Sequence, residues 1–386
     1  MGLSLLATSA AAESPAPAPV VERAALQATT YSDSDHVIVF TPVASGEIDD
    51  RQERWNVRGQ YLVDTISAAS VDIVSTASSH WRETRQAGTL EGSYKPRSVG
   101  AKVSGAFSSE PDYLSFAGGA LLTWDFADKN ETLLLGYSLD HDTIGRAHTP
   151  FSVFSHRLWQ HDLNVGVTIT LSRTAILSLL GDVMVERGDQ SKPYRYIPMF
   201  DALVARGIER GEAIDSVNAK RLPERPLEQL PLSRERYALT ARFGYRLAHA
   251  TLRADERVYA DSWRLFASTS DLRLYLDVSK RTTLGPHFRV HAQNSVYFWR
   301  RAYVSNFEAN NAWQLPRYRT GDRELGPLVT VGTGFGARVG IGPEREPSAF
   351  TLVMQGDLAA SDFLDDLYLT SRLAGFVTVG IEGAFE

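Results

Sequence analysis

Arg242, Arg253, Arg257, Arg273 and Arg289 stand among carboxylates at Asp255, Asp271 and Asp277. Planar guanidinium groups at this density either bind anions or knit carboxylates into ladders. Arg236 and Arg246 belong to the same stretch, and the residues before it are acidic, with Asp125, Asp140, Asp162, Asp182 and Glu186. Two readings stay open. The charges segregate and order water for polar solutes, or they pair with one another and brace the structure that carries them.

Other chemistry is poorly served. His287 and His291, with Asp277 nearby, invite a metal or catalytic reading. On a strand, residues four apart share a face but lie ~13–14 Å from each other, too far to chelate one ion. Histidines in a polar wall are therefore the expectation. None of the nine histidines begins a His-x-Ser pair, and Asp140-His141-Asp142 has no matching partners elsewhere. There is no GxGxxG, phosphate-binding loop or HExxH motif. The absence of cysteine excludes a thiolate metal site, a Cys nucleophile and a disulfide scaffold. We expect no catalytic residue, no metal and no cofactor.

The elements that carry the charges are written with period two. In Ser270–Val278, Leu272, Leu274, Leu276 and Val278 fall on one parity, and Asp271, Arg273, Tyr275 and Asp277 on the other. After Ser279–Thr282 the alternation restarts, with Phe288, Val290, Ala292, Val296 and Phe298 against His287, Arg289, His291, Gln293 and Ser295. Tyr237–Leu247, Thr251–Asp261 and Trp159–Leu171 repeat the pattern. These runs often reach ~11 residues, where soluble strands average ~5–6. Short turns such as Ala127–Asn130, Ser172–Thr174 and Ser279–Thr282 alternate with long links such as Arg187–Ser233 and Ala302–Arg323. That asymmetry, with aromatic residues near strand ends (Trp55, Trp81, Tyr94, Trp124, Phe126, Trp159, Tyr237, Trp263 and Phe298), predicts a transmembrane barrel with interfacial girdles.

The expected fold is all-β, an antiparallel up-and-down barrel of about sixteen strands, with fourteen to eighteen compatible with the pattern. The count is even if both termini lie in the periplasm. The chain has 386 residues and a formal net charge of −6, which argues against nucleic-acid binding. No apolar run approaches the ~18 residues of a membrane-spanning helix. Residues 1–12 read as a secretory signal, truncated at its start, and residues 13–23 as a Pro-rich periplasmic linker. Residues 24–386 then form the barrel, with a large loop insertion at about 188–233, where Asp201 is a candidate helix N-cap. Val377, Val379, Ile381 and Phe385 alternate in a final strand and resemble the terminal signal read by the outer-membrane assembly machinery, although Glu386 follows the aromatic residue.

Several segments also carry a resemblance. Tyr61–Asp72 reads Tyr-Leu-Val-Asp-Thr-Ile-Ser-Ala-Ala-Ser-Val-Asp; Asp142-Thr143-Ile144-Gly145-Arg146 follows a strand. Tyr194-Arg195-Tyr196, Leu222-Pro223-Glu224-Arg225 and Asp322-Arg323-Glu324-Leu325 fall in or beside the long links. Together they resemble an uncharacterised outer-membrane β-barrel family of Gram-negative bacteria, one known only as a domain of unknown function. The resemblance implies fold and location and carries no activity.

The expected location is the bacterial outer membrane. Expected partners are its lipid and lipopolysaccharide and the barrel assembly machinery, with periplasmic export proteins if the barrel is a conduit. The expected function is a porin-like channel for hydrophilic solutes through an Arg-lined lumen. Dedicated polysaccharide export and a plugged structural barrel are the alternatives.

Overall fold

A computed structural model describes residues 20–66, 83–146, 148–307, 313–342 and 349–385. The signal segment, residues 67–72 of the first family-like motif and Trp81 lie outside these. The chain forms sixteen barrel strands: β1 Val20–Asp33, β2 Ile38–Asp50, β3 Trp55–Ile66, β4 Glu83–Tyr94, β5 Val99–Glu110, β6 Tyr113–Phe126, β7 Glu131–Ile144 and β8 His156–Thr170. The ring continues with β9 Ala175–Gly188, β10 Ser233–Arg246, β11 Ala250–Asp261, β12 Phe266–Asp277, β13 Thr282–Gln293, β14 Leu328–Ile341, β15 Phe350–Phe363 and β16 Ser371–Phe385. Each pairs antiparallel with its neighbours, and β1 pairs with β16 to close the barrel. Closure leaves no unpaired edge, the condition for strands to cross a bilayer.

The first strand begins at Val20, so residues 20–23 belong to the wall and not to a linker. The alternation explains the rest. Leu26, Leu90, Val103, Leu122, Leu135, Val165, Leu239, Leu272, Leu358 and Val377 are apolar yet exposed. Register places such residues opposite one another, as with Leu135 and Val165 or Leu26 and Ile381. Such a face is stable only against lipid.

The opposite face is concave, because side chains two strands apart meet on it. Asp182 on β9 reaches Arg257 on β11 at 3.2 Å, and Arg246 on β10 reaches Asp277 on β12 at 2.6 Å. Arg338 on β14 likewise reaches Glu382 on β16 at 2.6 Å. The charged parity is thus the inner wall.

The turns that follow β2, β4, β6, β8, β10 and β12 lie at the same end as both barrel termini, which is the periplasmic end by the habit of such barrels, and the longest described links, 189–232 and 294–327, run over the other. The opposite mouth carries a cap. In the 189–232 insertion, Asp201 caps a short helix, α1 Ala202–Ala205, by accepting the amide of Leu203; α2 spans Ile214–Lys220. Phe200, Ile208 and Val217 bury against Leu367 of the β15–β16 link. Ile197 and Met199 pack on Tyr303, and Met199–Phe200 pairs in parallel with Tyr303–Val304. A third cluster joins Leu230, Trp263, Leu265, Val296, Phe298, Trp299 and Leu325.

This cluster corrects one expectation. Strand β13 ends at Gln293, and Val296, Phe298 and Trp263 are cap core rather than lipid-facing girdle. Trp263 meets Phe298 edge-on at 5.4 Å. Each large apolar side chain so buried contributes roughly 1.5–3 kcal/mol, which holds the long links together without regular structure.

Candidate functional site: a charged lumen under a tied cap

Register explains how the inner wall tolerates so many like charges. Arg253 faces Arg273, and Asp255 faces Asp271, across β11 and β12. Like charges directly opposite are unfavourable. Neutralisation therefore runs along each strand: Arg253 binds Asp255 at 2.5 Å, and Arg273 binds Asp271 at 2.7 Å. Residues two apart on a strand share a face, so the planar fork can fold back onto the carboxylate. Arg242 adds a second bond to Asp255 at 3.0 Å, and Arg289 approaches Asp271 at 4.0 Å.

Glycine extends this network. The inner face of β14 carries Gly332, Gly334 and Gly336, opposite Arg289, His287 and Gly285 on β13. Across the gap at Gly334, His287 Nε2 reaches Asp357 of β15 at 2.6 Å. A Cβ at Gly334 would lie 2.3 Å from Asp357 Oδ1 and 2.4 Å from His287 Cε1. Gly334→Ala should break that pair and destabilise the barrel by about 1–3 kcal/mol. Gly336→Ala, whose Cβ would meet only carbonyl oxygens at 3.8 Å, should be mild. Thermal melts followed by heat-modifiable gel mobility would compare them, and equal melting points would refute the steric argument.

The other expected site residues take distinct places. Arg236 pairs with Glu186 at 3.0 Å near the outer end. Asp162 and Asp182 are bridged by the amide of Asn164, which donates to Asp182 at 2.9 Å. His291 is held by Thr269 at 2.8 Å and Gln293 at 3.1 Å, and His287 by Asp357, so the two histidines are not brought to one centre. Arg242 and Arg289 share a register row through Asp255 and Asp271, whereas Arg257 is opposite Thr240 and Arg273 opposite His287. The four arginines occupy three consecutive rows, with carboxylates between them. Asp140-His141-Asp142 splits across the wall: Asp142 is buried and takes a bond from Gln160 at 2.7 Å, while His141 faces outward and packs at a tilt on Trp159. Val377, Val379, Ile381 and Phe385 face outward on the closing strand β16.

Long-range ties hold the cap, and period-two reading does not disclose them. Tyr194 donates to Asp112 of the β5–β6 turn at 2.6 Å. Arg210 binds Asp362 and the carbonyl of Thr370 at the β15–β16 link. Arg323 binds Asp35 of the β1–β2 turn at 3.0 Å, with both side chains almost wholly buried. Beneath the surface Glu228 accepts from Arg195 at 3.1 Å, from Thr320 at 2.6 Å and from the amide of Lys192 at 2.9 Å. Burial pushes the Glu228 carboxyl above its ordinary value, and Arg195 opposes that shift. The Tyr303 hydroxyl, also buried, is pushed up to about 12.

Glu256 is one of the residues that break the lipid-face pattern. It lies on the outward parity of β11 and takes a hydrogen bond from Ser268 at 2.6 Å and another from Ser270. The two hydroxyls solvate a carboxylate that the hydrocarbon would not.

A closed ring of sixteen antiparallel strands, apolar outside and charged within, defines an outer-membrane β-barrel, and its place is the bacterial outer membrane. The profile of the family described as Protein of unknown function (DUF3570) matches residues 73–344, and the chain belongs to that family. No curated protein matches it. Among solved structures it is similar to a bacterial polysaccharide outer membrane secretin, at 8% identity over 95% of this chain and 98% of that one, with a TM-score of 0.46. It is also similar to Pseudomonas aeruginosa OccK2 (OpdF), solved in complex with glucuronate, at 8% identity over 95% and 97% of the two chains and a TM-score of 0.43. The siderophore receptor PirA from Acinetobacter baumannii matches at 10% identity over 88% of this chain, with a TM-score of 0.44; the match spans about half (53%) of the receptor.

Proposed function

We propose that the protein is a conduit for hydrophilic solutes across the outer membrane, with its ion-paired arginines setting a preference for anions. The observation that carries this reading is the exposure of the guanidinium groups on the inner wall. Side chains of Arg242, Arg246, Arg257 and Arg289 remain 43, 49, 48 and 58% accessible even though each has a carboxylate within 4.0 Å. A wall braced around packed side chains would hide its guanidinium groups; these border water. Arginines that keep N–H donors free after pairing can hand an anion from one row to the next.

A second reading has its own support, since the tied cap over the outer mouth favours a barrel that is shut at rest. One experiment separates the two. Planar-bilayer reversal potentials on the purified barrel should show conductance. Replacing Arg242, Arg257 and Arg289 together by Gln should lower anion preference, and Asp162→Asn with Asp182→Asn should raise it. Absence of conductance in the wild type and in variants with a loosened cap would rule out the conduit.

A further inference from the structure

Trp159 lies on the lipid-facing parity of β8 and is 43% exposed. His141 is its register partner on β7, and Arg187 its partner on β9. Arg157 and His161 flank it along its own strand, two residues either way on the same face. Four nitrogen-bearing side chains thus surround one indole. His141 packs on it, tilted by 54° with ring centroids 4.2 Å apart, and His161 is anchored by the Tyr137 hydroxyl at 2.8 Å.

The placement of these arginines is selective. On the barrel strands among the described residues, every other arginine and the single lysine, Lys102, fall on the inner parity. Only Arg157 and Arg187 face lipid, and they are diagonal neighbours, whose Cβ atoms lie within roughly 7–8 Å. Arg187 is tethered by Ser233 at 2.8 Å and Glu235 at 3.0 Å, so it is pre-aimed, with its charge partly balanced. Arg157 is exposed, and its side chain has no hydrogen bond or ion pair among the described residues.

Height identifies what such a patch meets. From Trp159 to the periplasmic end of β8 at Thr170, a tilted strand climbs roughly 30 Å, just above an apolar band ~25 Å tall. The patch is therefore at the headgroup level of the outer leaflet. Directly below it the wall is a column of Leu163, Val165, Val167 and Ile169. Cations and a flat ring above an apolar column fit an anionic amphiphile, with phosphate on the arginines, a sugar ring on Trp159 and acyl chains on the column. A free phosphate would have no use for the column.

We propose that the face around Trp159 is a binding site for the phosphorylated sugar headgroup of an outer-leaflet glycolipid. The site stands apart from the lumen and does not rest on the conduit reading.

The test uses the full barrel in detergent and native mass spectrometry to count retained lipid. The probes are bisphosphorylated lipid A, the same lipid dephosphorylated, and phosphatidylglycerol. The wild type should retain bisphosphorylated lipid A about tenfold better than either other probe. R157Q should lower that retention several-fold, and R157Q with R187Q should abolish the preference. Arg242→Gln, on the inner wall, should leave it intact. Among the described residues the Arg157 side chain has no hydrogen bond or ion pair to lose, so the single variant stays informative should the double variant fail to fold. Equal retention of the dephosphorylated lipid or of phosphatidylglycerol, or full retention by folded R157Q, would overturn the proposal.

Discussion

Arginine in place of Leu272 should leave much of the barrel unassembled, whereas arginine in place of Tyr275 should not. Leu272 is 49% exposed on the outward parity, opposite Ala254 and Phe288 and five residues above the periplasmic end of β12 at Asp277. That is close to the bilayer midplane, where a cationic group on the lipid face costs roughly 2–4 kcal/mol. Tyr275 is on the inner parity, where water solvates a guanidinium and Asp277 is near. Among the described residues the strand arginines that face lipid, Arg157 and Arg187, are near the outer rim, where that cost fades. Heat-modifiable gel mobility after expression would report the folded fraction. Equal losses in both variants would reverse the assignment of inside and outside.

The second large effect is expected at the cap. Arg323 and Asp35 join the β13–β14 link to the β1–β2 turn across the closing seam of the ring, with side chains 9 and 6% accessible. Removing one partner strands the other as a buried charge, at a cost of about 3–5 kcal/mol. Arg323→Met should therefore lower the melting temperature and loosen the cap. In the conduit reading it should also raise single-channel conductance. Arg323→Met combined with Asp35→Asn removes both charges and should recover much of the stability while leaving the cap loose. A double variant no more stable than the single one would mean that Arg323 acts through its contact over the Phe363 ring and not through the ion pair.

Sixteen strands and their parity were legible because one rule governs every strand. A residue facing lipid and a residue facing water cannot exchange without several kcal/mol of cost, so period two survives in the sequence. The rule fails where the environment has three states. Val296, Phe298 and Trp263 are apolar in a chain whose apolar residues usually face lipid, yet they bury in the cap. A pattern of polarity alone cannot tell protein core from bilayer. The charged residues show the complementary limit. Which arginines and aspartates share the inner wall follows from parity. That Arg253 pairs with Asp255 and not with a residue across the ladder follows from a register in which Arg253 faces Arg273, and register is set between strands. Glu256 and the arginines flanking Trp159 were missed for a related reason. Each is a single polar residue on an apolar parity, and its meaning depends on its height and neighbours.

The seam between β1 and β16 has a consequence for how the chain comes to be folded. Its ladder joins residues from the two extremes of the sequence, such as Thr29 and Thr378, whose hydroxyls bond at 2.8 Å. Every other strand pair can zip from a connection already made, but this one closes the longest loop in the molecule and is available only when the whole chain is present. Until then β1 offers an open row of amides and carbonyls, a template for wrong partners. Loop-closure entropy makes such contacts late and slow. The rate-limiting event in assembly should therefore be the meeting of the ends. Substitutions along Val20–Asp33 or Ser371–Phe385 should then slow folding more than equally destabilising ones in β6 or β7.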